Sequence, residues 1–422
     1  MLKALRGTKD ILPSDAVLWR LVESSARDIL GRYGYKEIRT PIIEEAALFI
    51  RSIGDVTDIV QKEMYVFSDR GERTIALRPE ATASIVRAYL ENSLGRENTV
   101  TKLFYIGPMF RSERPQKGRQ RQFHQLGVEA LGSDNPFLDA EVISLAVSII
   151  KALGIKDFNL NINSLGCPED KSGMIEKYRK AVKPHMDSLC AECKERYNKN
   201  VLRIFDCKNG NCSNIAGVIE SDDLLCGDCA DHFESVKRGL DALKIDFTVD
   251  RRIVRGLDYY TKTVFEITQK DLGAKDAICA GGRYNNLVKE MGGKDTPAVG
   301  FAFGMERMLL GLKKDNIVSG PALDAFVAVT GEGVYEKAFI LTNELRKKGL
   351  SCDIDYSART LKTQLRMAEK SGARAVVIFG EDEIKKGKVS LKDMLKREQK
   401  EVEIGDAAEE ILALNNMDKE NS

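Results

Sequence analysis

The stretch from Leu103 to Glu129, LFYIGPMFRSERPQKGRQRQFHQLGVE, constrains this chain more than any other. Leu103, Phe104 and Ile106 open a β-rich run that ends at Phe110-Arg111. Residues 112–120 hold Pro, Gly, Gln and charge, and the alternation resumes through Phe123, Leu126 and Val128. Apolar alternation on either side of turn formers predicts strand, loop and strand. The connection is strongly basic, because Arg111, Arg114, Lys117, Arg119 and Arg121 fall within eleven residues and only Glu113 opposes them. A guanidinium is planar and permanently charged, so at a strand end it can grip a phosphate or carboxylate with two parallel hydrogen bonds. On a generic hairpin the same charges are simply solvated. Gln125 and Glu129 share one face of the return strand and suggest a floor whose far end recognises something smaller. His124 must then point away from Gln125.

Composition sets the limits. The 422 residues, 43% of them hydrophobic, suffice for two or three domains with ordinary cores. With 65 basic against 64 acidic residues the net charge is +1, so any nucleic-acid contact must come from local patches. MLKALRGTKDILPSD lacks the continuous apolar core of a signal peptide, and no run of eighteen apolar residues follows. That pattern predicts a soluble, cytoplasmic protein with no membrane contact. In such a compartment nine cysteines argue for thiols or metal ligands over disulfides.

Along the chain, Pro13-Ser14 starts a helix with Ser14 as N-cap, and Leu18, Leu21, Val22, Ser25 and Ile29 fall on one face. YGYKEIRTPIIEEAALFIRSIG reads as a strand leading to Pro41 and then a helix-like segment. TIALRPEATASIVRAYL reads as a strand through Ile75 and Leu77, a turn at Pro79-Glu80 and a helix from about Thr82. Thr82 can cap that helix with Glu80 in its first turn. Alternatively, the carboxylate and hydroxyl can together hold an ammonium group.

Around residue 168 the texture changes. Charge rises, alternation disappears, and seven of the nine cysteines lie between Cys167 and Cys229. This predicts an inserted module ending near residue 240. Cys190-x-x-Cys193 and Cys226-x-x-Cys229 form two knuckles that can enclose a structural tetrahedral Zn²⁺, with His232, Cys207 and Cys212 as spare ligands. Reduced thiols without metal are the alternative.

Past the insert, VRGLDYYTKTVFEIT alternates as a strand from Tyr259, and AICAGGRYNNLV sets Gly281-Gly282 before Arg283 and Tyr284, where glycine lets a backbone approach a ligand. GFAFGMERMLLGL passes from strand to helix with Arg307 near the helix start. That position opposes the macrodipole unless an anion sits there. From about residue 322 strands and helices alternate in a separate α/β domain of about a hundred residues, with a basic hairpin at EIKKGKVSLKDM.

Together these pieces resemble histidyl-tRNA synthetases of bacterial type, over essentially the whole chain. The segment around Pro41 looks like motif 1 of class II synthetases, FRSERPQKGRQRQFHQLGVE like motif 2 and GFAFGMERM like motif 3. RGLDYY and AGGRY resemble the two signatures peculiar to the histidine enzymes. The cysteine set departs from the family, whose insert often lacks it.

The resemblance implies an α+β fold. An antiparallel-sheet catalytic domain (1–167 and 241–320) is interrupted by the Cys-rich module (168–240) and followed by an α/β anticodon-binding domain (322–422). It implies activation of L-histidine with ATP and Mg²⁺, transfer to tRNA(His), and a homodimer formed through motif 1. Arg111 and Arg307 would clamp the α- and γ-phosphates, with Arg119 assisting, Glu113 reading the adenine amino group and Phe123 stacking on the base. Arg255 would act at the α-phosphate. Glu80, Thr82 and Gln125 would hold the amino acid's α-amino and carboxylate groups, and Glu129 and Tyr260 would bracket the imidazole with Tyr284 close by. Gln116 and Arg121 would meet the tRNA acceptor end. Two competing readings are a catalytically silent paralogue regulating histidine biosynthesis and an uncharged-tRNA sensor. Both go with blurred arginines, whereas Arg111, Arg255 and Arg307 are intact.

Overall fold

A computed structural model describes residues 2–55, 57–96, 99–116, 118–207, 209–217, 225–253, 257–269, 277–312, 323–357 and 359–420. The chain forms two compact units, Met1–Lys313 and Lys314–Ser422.

The first unit is organised on an eight-stranded sheet. Across it run Lys36–Glu37, Thr101–Phe110, Gln122–Leu131, Ala298–Gly304, Ala277–Arg283, Thr261–Gln269, Phe158–Ser164 and Thr248–Val249. The outermost pair at each edge is parallel and every pair between them is antiparallel. The hairpin lies inside this sheet, its ladder unbroken from Thr101 opposite Leu131 to Phe110 opposite Gln122. The period of two sorts its side chains. Phe104, Leu126, Val128 and Ala130 enter a core shared with the helices Pro13–Arg32, Pro136–Ala152 and Gly227–Ala242. Leu103, Tyr105 and Met109 pack on the other side with Tyr259, Tyr260 and Tyr284. Pro13 opens the first helix at a position that needs no N–H. Ser14 therefore lies inside it, and Leu12 is the N-cap residue in place of the expected serine. A separate three-stranded sheet holds Ile43–Glu45, Thr74–Leu77 and Tyr65–Ser68, in that order.

The Cys-rich segment builds its own small core from the helices Pro168–Val182, Ala191–Lys199 and Gly210–Gly217. The helix Gly227–Ala242 that follows instead sends Phe233, Val236 and Leu240 into the main core.

A buried ion pair joins sheet to helix. Arg283 and Asp139 are both fully buried in their side chains and ion-paired, and Arg283 Nη1 also donates to the Ser133 carbonyl at 2.8 Å. His232 Nε2 stands 3.6 Å from Asp139 Oδ1. Burial raises the Asp139 carboxyl's pKa, and the adjoining guanidinium together with His232 more than reverses that, leaving it below its ordinary value. Arg283 of the AGGRY segment thus serves the scaffold.

The second unit has a five-stranded sheet in the order Cys352–Ile354, Leu323–Thr330, Ala373–Gly380, Lys388–Asp393, Gln399–Glu403. The first three strands are parallel and the last two antiparallel. The helices Tyr335–Lys347 and Ala407–Glu420 cover one face and Leu361–Lys370 the other. The expected basic hairpin is partly helical, because Glu381–Lys386 forms a turn of helix closed by Gly387 at φ +68° before the strand begins. Two of its lysines are paired, Lys386 with Glu401 at 3.0 Å and Lys388 with Glu403 at 3.6 Å.

Asp139→Ala leaves Arg283 buried without its counter-charge, which typically costs about 3–5 kcal/mol. The variant is expected to lower the midpoint of thermal unfolding, followed by circular dichroism, far more than a substitution of an exposed acid such as Asp28→Ala.

Candidate functional site

A cavity of about 340 Å³ lies over the middle of the large sheet. It is lined by Glu80, Thr82, Gln125, Glu129, Tyr260 and Tyr284, and by Arg111, Glu113, Arg119, Phe123 and Arg307. Arg255 falls in residues 254–256, outside the described residues. Gln116 and Arg121 do not line the cavity. Gln116 exchanges backbone hydrogen bonds with Arg119 across the loop (2.9 and 3.1 Å), and the Arg121 N–H donates to the Gly7 carbonyl at 2.6 Å.

One end of the cavity is a buried carboxyl nest. Glu80 accepts hydrogen bonds from the N–H groups of Thr82 (2.6 Å) and Ala83 (3.0 Å), and so satisfies the start of the helix Thr82–Glu91. Ala81 is the N-cap residue, and the capping carboxylate comes from Glu80 just before it, not from Thr82. The Thr82 hydroxyl is free to donate to Glu129 at 2.7 Å, and the Tyr284 hydroxyl donates to the other oxygen of Glu129 at 2.5 Å. Burial pushes the Glu129 carboxyl up to about 8 despite those two donors, with the Glu80 charge adding to the rise. Burial raises Glu80 as well, its backbone donors opposing. Tyr259 packs between Tyr260, in a tilted contact at a centroid distance of 4.7 Å, and Tyr284, edge-on at 5.5 Å. Gln125 Oε1 is buried and has no hydrogen-bond partner among the described residues. A buried acceptor left in this state is costly and calls for a donor from a ligand.

Glu129 pairs with Leu103 on one side and Gly300 on the other. A Cβ on Gly300 would lie 2.0 Å from Glu129 Oε2, so only glycine allows the carboxyl to lie across this strand. The double glycine serves a related end. A Cβ on Gly282 would meet the Thr263 carbonyl at 2.6 Å and the Tyr260 ring at 3.0 Å, so it is the protein's own strands, rather than a ligand, that approach here.

The other end is cationic. Arg111 donates from Nε to the Pro79 carbonyl at 2.9 Å and stands 5.3 Å from the centroid of the Phe123 ring. Arg119 is held by Glu113 at 2.7 Å. Arg307 donates to the Ala277 carbonyl at 2.6 Å. Burial lowers its pKa, and the neighbouring charge of Arg119 adds to the effect. Like charges held this close are stabilised by an anion between them.

Sequence reasoning missed several participants. The Glu306 carboxylate accepts the His124 N–H at 2.9 and 3.0 Å and lies 3.1 Å from its Nδ1, locking the hairpin to the helix Met305–Gly311. His124 thus points away from the cavity, as the alternation predicts, and packs edge-on against Trp19. Tyr105 lines the cavity too, a position that counting in twos back from Leu103's partner Glu129 would have found. Asp258, just before the tyrosines, is braced from the insert, where Lys171 Nζ donates to its carbonyl at 2.8 Å and Asn200 Nδ2 to its Oδ1 at 3.2 Å.

The two Cys-x-x-Cys knuckles do not share a site. Cys190 and Cys193 converge with Cys207 and Cys212, whereas Cys226 and Cys229 converge with Cys167 and Asp170. The four-thiolate grouping read from the sequence is therefore corrected. Two knuckles can be completed by different partners, and spacing along the chain does not reveal which. His232, the third spare ligand, belongs to the buried cluster with Asp139.

Comparison with known proteins gives a consistent picture. The family model described as histidyl-tRNA synthetase matches residues 7–308, and that of an anticodon binding domain matches 324–414. The histidine–tRNA ligase of Halothermothrix orenii is 50% identical over 98% of this chain and 99% of its own length. That of Desulforamulus reducens is 48% identical over 94% and 96%. The crystal structure of apo Staphylococcus aureus histidyl-tRNA synthetase superposes with a TM-score of 0.81 at 36% identity, covering 97% of this chain and all of that one.

Glu129 should make stability depend on pH. Its carboxyl is raised from 4.5 to about 8 in the folded protein, so its contribution is complete below pH 4.5 and is lost as pH rises through 8. Over that window the slope reaches about 1.4 kcal/mol per pH unit. The unfolding midpoint of Glu129→Gln is expected to fall less between pH 5 and 9 than that of the unsubstituted protein, measured by scanning calorimetry.

Proposed function

The chain belongs to the histidyl-tRNA synthetase family of aminoacyl-tRNA ligases, and from that premise we propose how its own residues divide the work of histidine–tRNA ligation. The reaction joins L-histidine to ATP, giving histidyl-adenylate and pyrophosphate, and then passes the histidyl group to the 3′ end of tRNA(His). The full-length relatives named above are ligases, which leaves the silent regulatory paralogue without support.

The observation that carries the assignment of roles is the polarity of one cavity, with carboxyl and tyrosine groups at one end and three guanidiniums at the other. Histidine's ammonium group suits Glu80, Thr82 and the unpartnered Gln125 Oε1. Its imidazole offers one donor and one acceptor, which the Glu129 carboxyl and the Tyr260 hydroxyl complement, with Tyr284 holding Glu129 in place. A site built on such bonds rejects analogues lacking them by roughly 10⁴-fold or more. The adenine lies on Phe123 with Glu113 at its amino group, and Arg111, Arg119 and Arg307 take the phosphates.

In the first step the histidine carboxylate oxygen bonds to the α-phosphorus while the bond to the β-phosphate oxygen breaks. No protein nucleophile is required, so catalysis consists of positioning and charge stabilisation. Arg255 supplies charge at the α-phosphate. Aminoacyl-tRNA synthetases use Mg²⁺ with ATP, and the chain has a donor that fits. Glu266 lines the cationic end of the cavity, and one carboxylate plus substrate phosphates is an ordinary coordination set for this ion. When bound, the ion neutralises part of the pyrophosphate charge. In the second step a terminal ribose hydroxyl of the tRNA attacks the histidyl carbonyl and AMP leaves. Gln116 and Arg121, outside the cavity, meet the acceptor end.

Residues 1–167 and 241–320 make up the catalytic domain, 168–240 the insert and 322–422 the anticodon-binding domain. The enzyme acts as a homodimer in the cytoplasm. Support for the dimer is an apolar surface around the small sheet, where Ile42, Ile43, Ile50, Val66 and Phe67 are each at least 40% exposed. Among the described residues no helix is long and apolar enough to cross a membrane.

Histidine-dependent ATP–pyrophosphate exchange tests the reading, and folded protein without exchange would overturn it. Arg255→Ala is expected to lower the exchange rate about 100-fold or more while calorimetric histidine affinity stays within about threefold. Equal losses in both would contradict its role at phosphorus. For the dimer, Ile43→Asp should shift the sedimentation coefficient to that of a monomer, and an unchanged coefficient would count against the apolar surface.

A further inference from the structure

We propose that the Cys-rich insert holds two separate tetrahedral Zn²⁺ ions, one on Cys190, Cys193, Cys207 and Cys212 and the other on Cys167, Asp170, Cys226 and Cys229. The proposal does not depend on the catalytic reading above.

In the first group the four Sγ atoms all lie within 4.8 Å of one another, and those of Cys190 and Cys207 are 3.8 Å apart. A tetrahedron of thiolates about 2.3 Å from a central zinc has edges of about 3.8 Å. A disulfide would need about 2.05 Å, and none of the seven cysteines of the insert is in a disulfide. The four sulfurs are therefore spaced for an ion at their centre and not for a covalent link. Backbone donors already face them, with the Cys190 N–H 3.3 Å from Cys212 Sγ and the Asn209 N–H 3.4 Å from Cys207 Sγ. Such bonds orient thiolates and spread their charge.

The module also lacks the means to hold itself together by packing. Among the described residues its core cluster has nine buried members, and two of them are the ligands Cys193 and Cys212. Small domains with so little apolar interior usually need a metal or another cross-link. Treating these cysteines as ordinary small hydrophobes accounts for the buried pair. It does not account for Cys190 and Cys207, which stay partly exposed yet converge on the same point.

The second group repeats the construction at the root of the insert. Cys167 and Cys226 occupy the N-cap positions of Pro168–Val182 and Gly227–Ala242, and Asp170 and Cys229 follow each by three residues. Two i, i+3 hooks from different helices thus meet with all four ligand atoms within 4.8 Å. Asp170 accepts the Cys167 N–H at 3.2 Å and the Cys226 N–H at 3.0 Å. A capping box explains Cys167 and Asp170 alone, but not the convergence of two more thiols on them. Three thiolates and a carboxylate around Zn²⁺ carry a net charge of −2, which the positive ends of both helices favour. The first ion would close the module's core, and the second would pin its entry and exit together.

The test is zinc content of the full-length protein, purified reduced and supplied with Zn²⁺ before desalting, read by plasma mass spectrometry. Two zinc per chain are expected, falling to one in Cys207→Ser, at a partly exposed position, and to one in Cys226→Ser, at an exposed one. Folded protein with no zinc overturns the proposal. A single zinc lost in both variants means one shared site and also overturns it. A single zinc that survives Cys226→Ser removes the second site. If either variant fails to fold, X-ray absorption at the zinc edge of the unsubstituted protein decides. Seven sulfur ligands and one oxygen shared over two ions support the assignment, and a shell dominated by nitrogen and oxygen refutes it.

Discussion

The register of one strand governs most of what this molecule does. Gln122–Leu131 is paired along its whole length with Thr101–Phe110 and, from Gln125 onward, with Ala298–Gly304. Because side chains alternate, a slip of one residue would carry Gln125 and Glu129 into the helix-covered core and bring Leu126 and Val128 into the cavity. The register is held where a shift would hurt most. Glu129 fits only beside the bare backbone of Gly300, and His124 is gripped by Glu306 from the following helix.

The cavity built on that register sets buried acids against crowded bases. A hydrogen bond to a charged group contributes about 1.5–3 kcal/mol, while desolvating a carboxylate costs several. For Glu129 and Glu80 desolvation wins, and both are raised. For Asp139, facing a guanidinium directly, the balance reverses. The distinction separates two uses of burial. Asp139 and Arg283 neutralise each other and stabilise the scaffold, whereas Glu80 and Glu129 have no ion-paired guanidinium among the described residues and stay raised.

How much of this was legible in the sequence follows the range of each interaction. The hairpin, its basic loop and the shared face of Gln125 and Glu129 could be read because a strand's alternation is local. So could the alternation of strands and helices in the C-terminal unit, apart from the short helix Glu381–Lys386, where a hairpin was expected. Helix caps were harder. Ser14 and Thr82 have the right chemistry, but Pro13 takes over the first helix start and Glu80 reaches the second from two residues away. The cysteines were least legible, since which knuckle meets which partner depends on how helices far apart in sequence come together. Arg283 sits in a segment that resembles a substrate signature, yet its partner Asp139 lies 144 residues away and nothing local announces it.

The geometry at the insert's root has one more implication. Cys226 and Asp170 are 56 residues apart along the chain but one hydrogen bond, 3.0 Å, apart in space. The intervening chain leaves the sheet and returns to almost the same point, so its length hardly matters to the rest of the fold. Each doubling of such a loop adds only about 0.6 kcal/mol of closure entropy. The excursion is nonetheless tied into the catalytic half, because Lys171 and Asn200 both hold Asp258 beside the pocket. As topology it is a detachable cassette, but removing it would release the segment that carries Tyr259 and Tyr260.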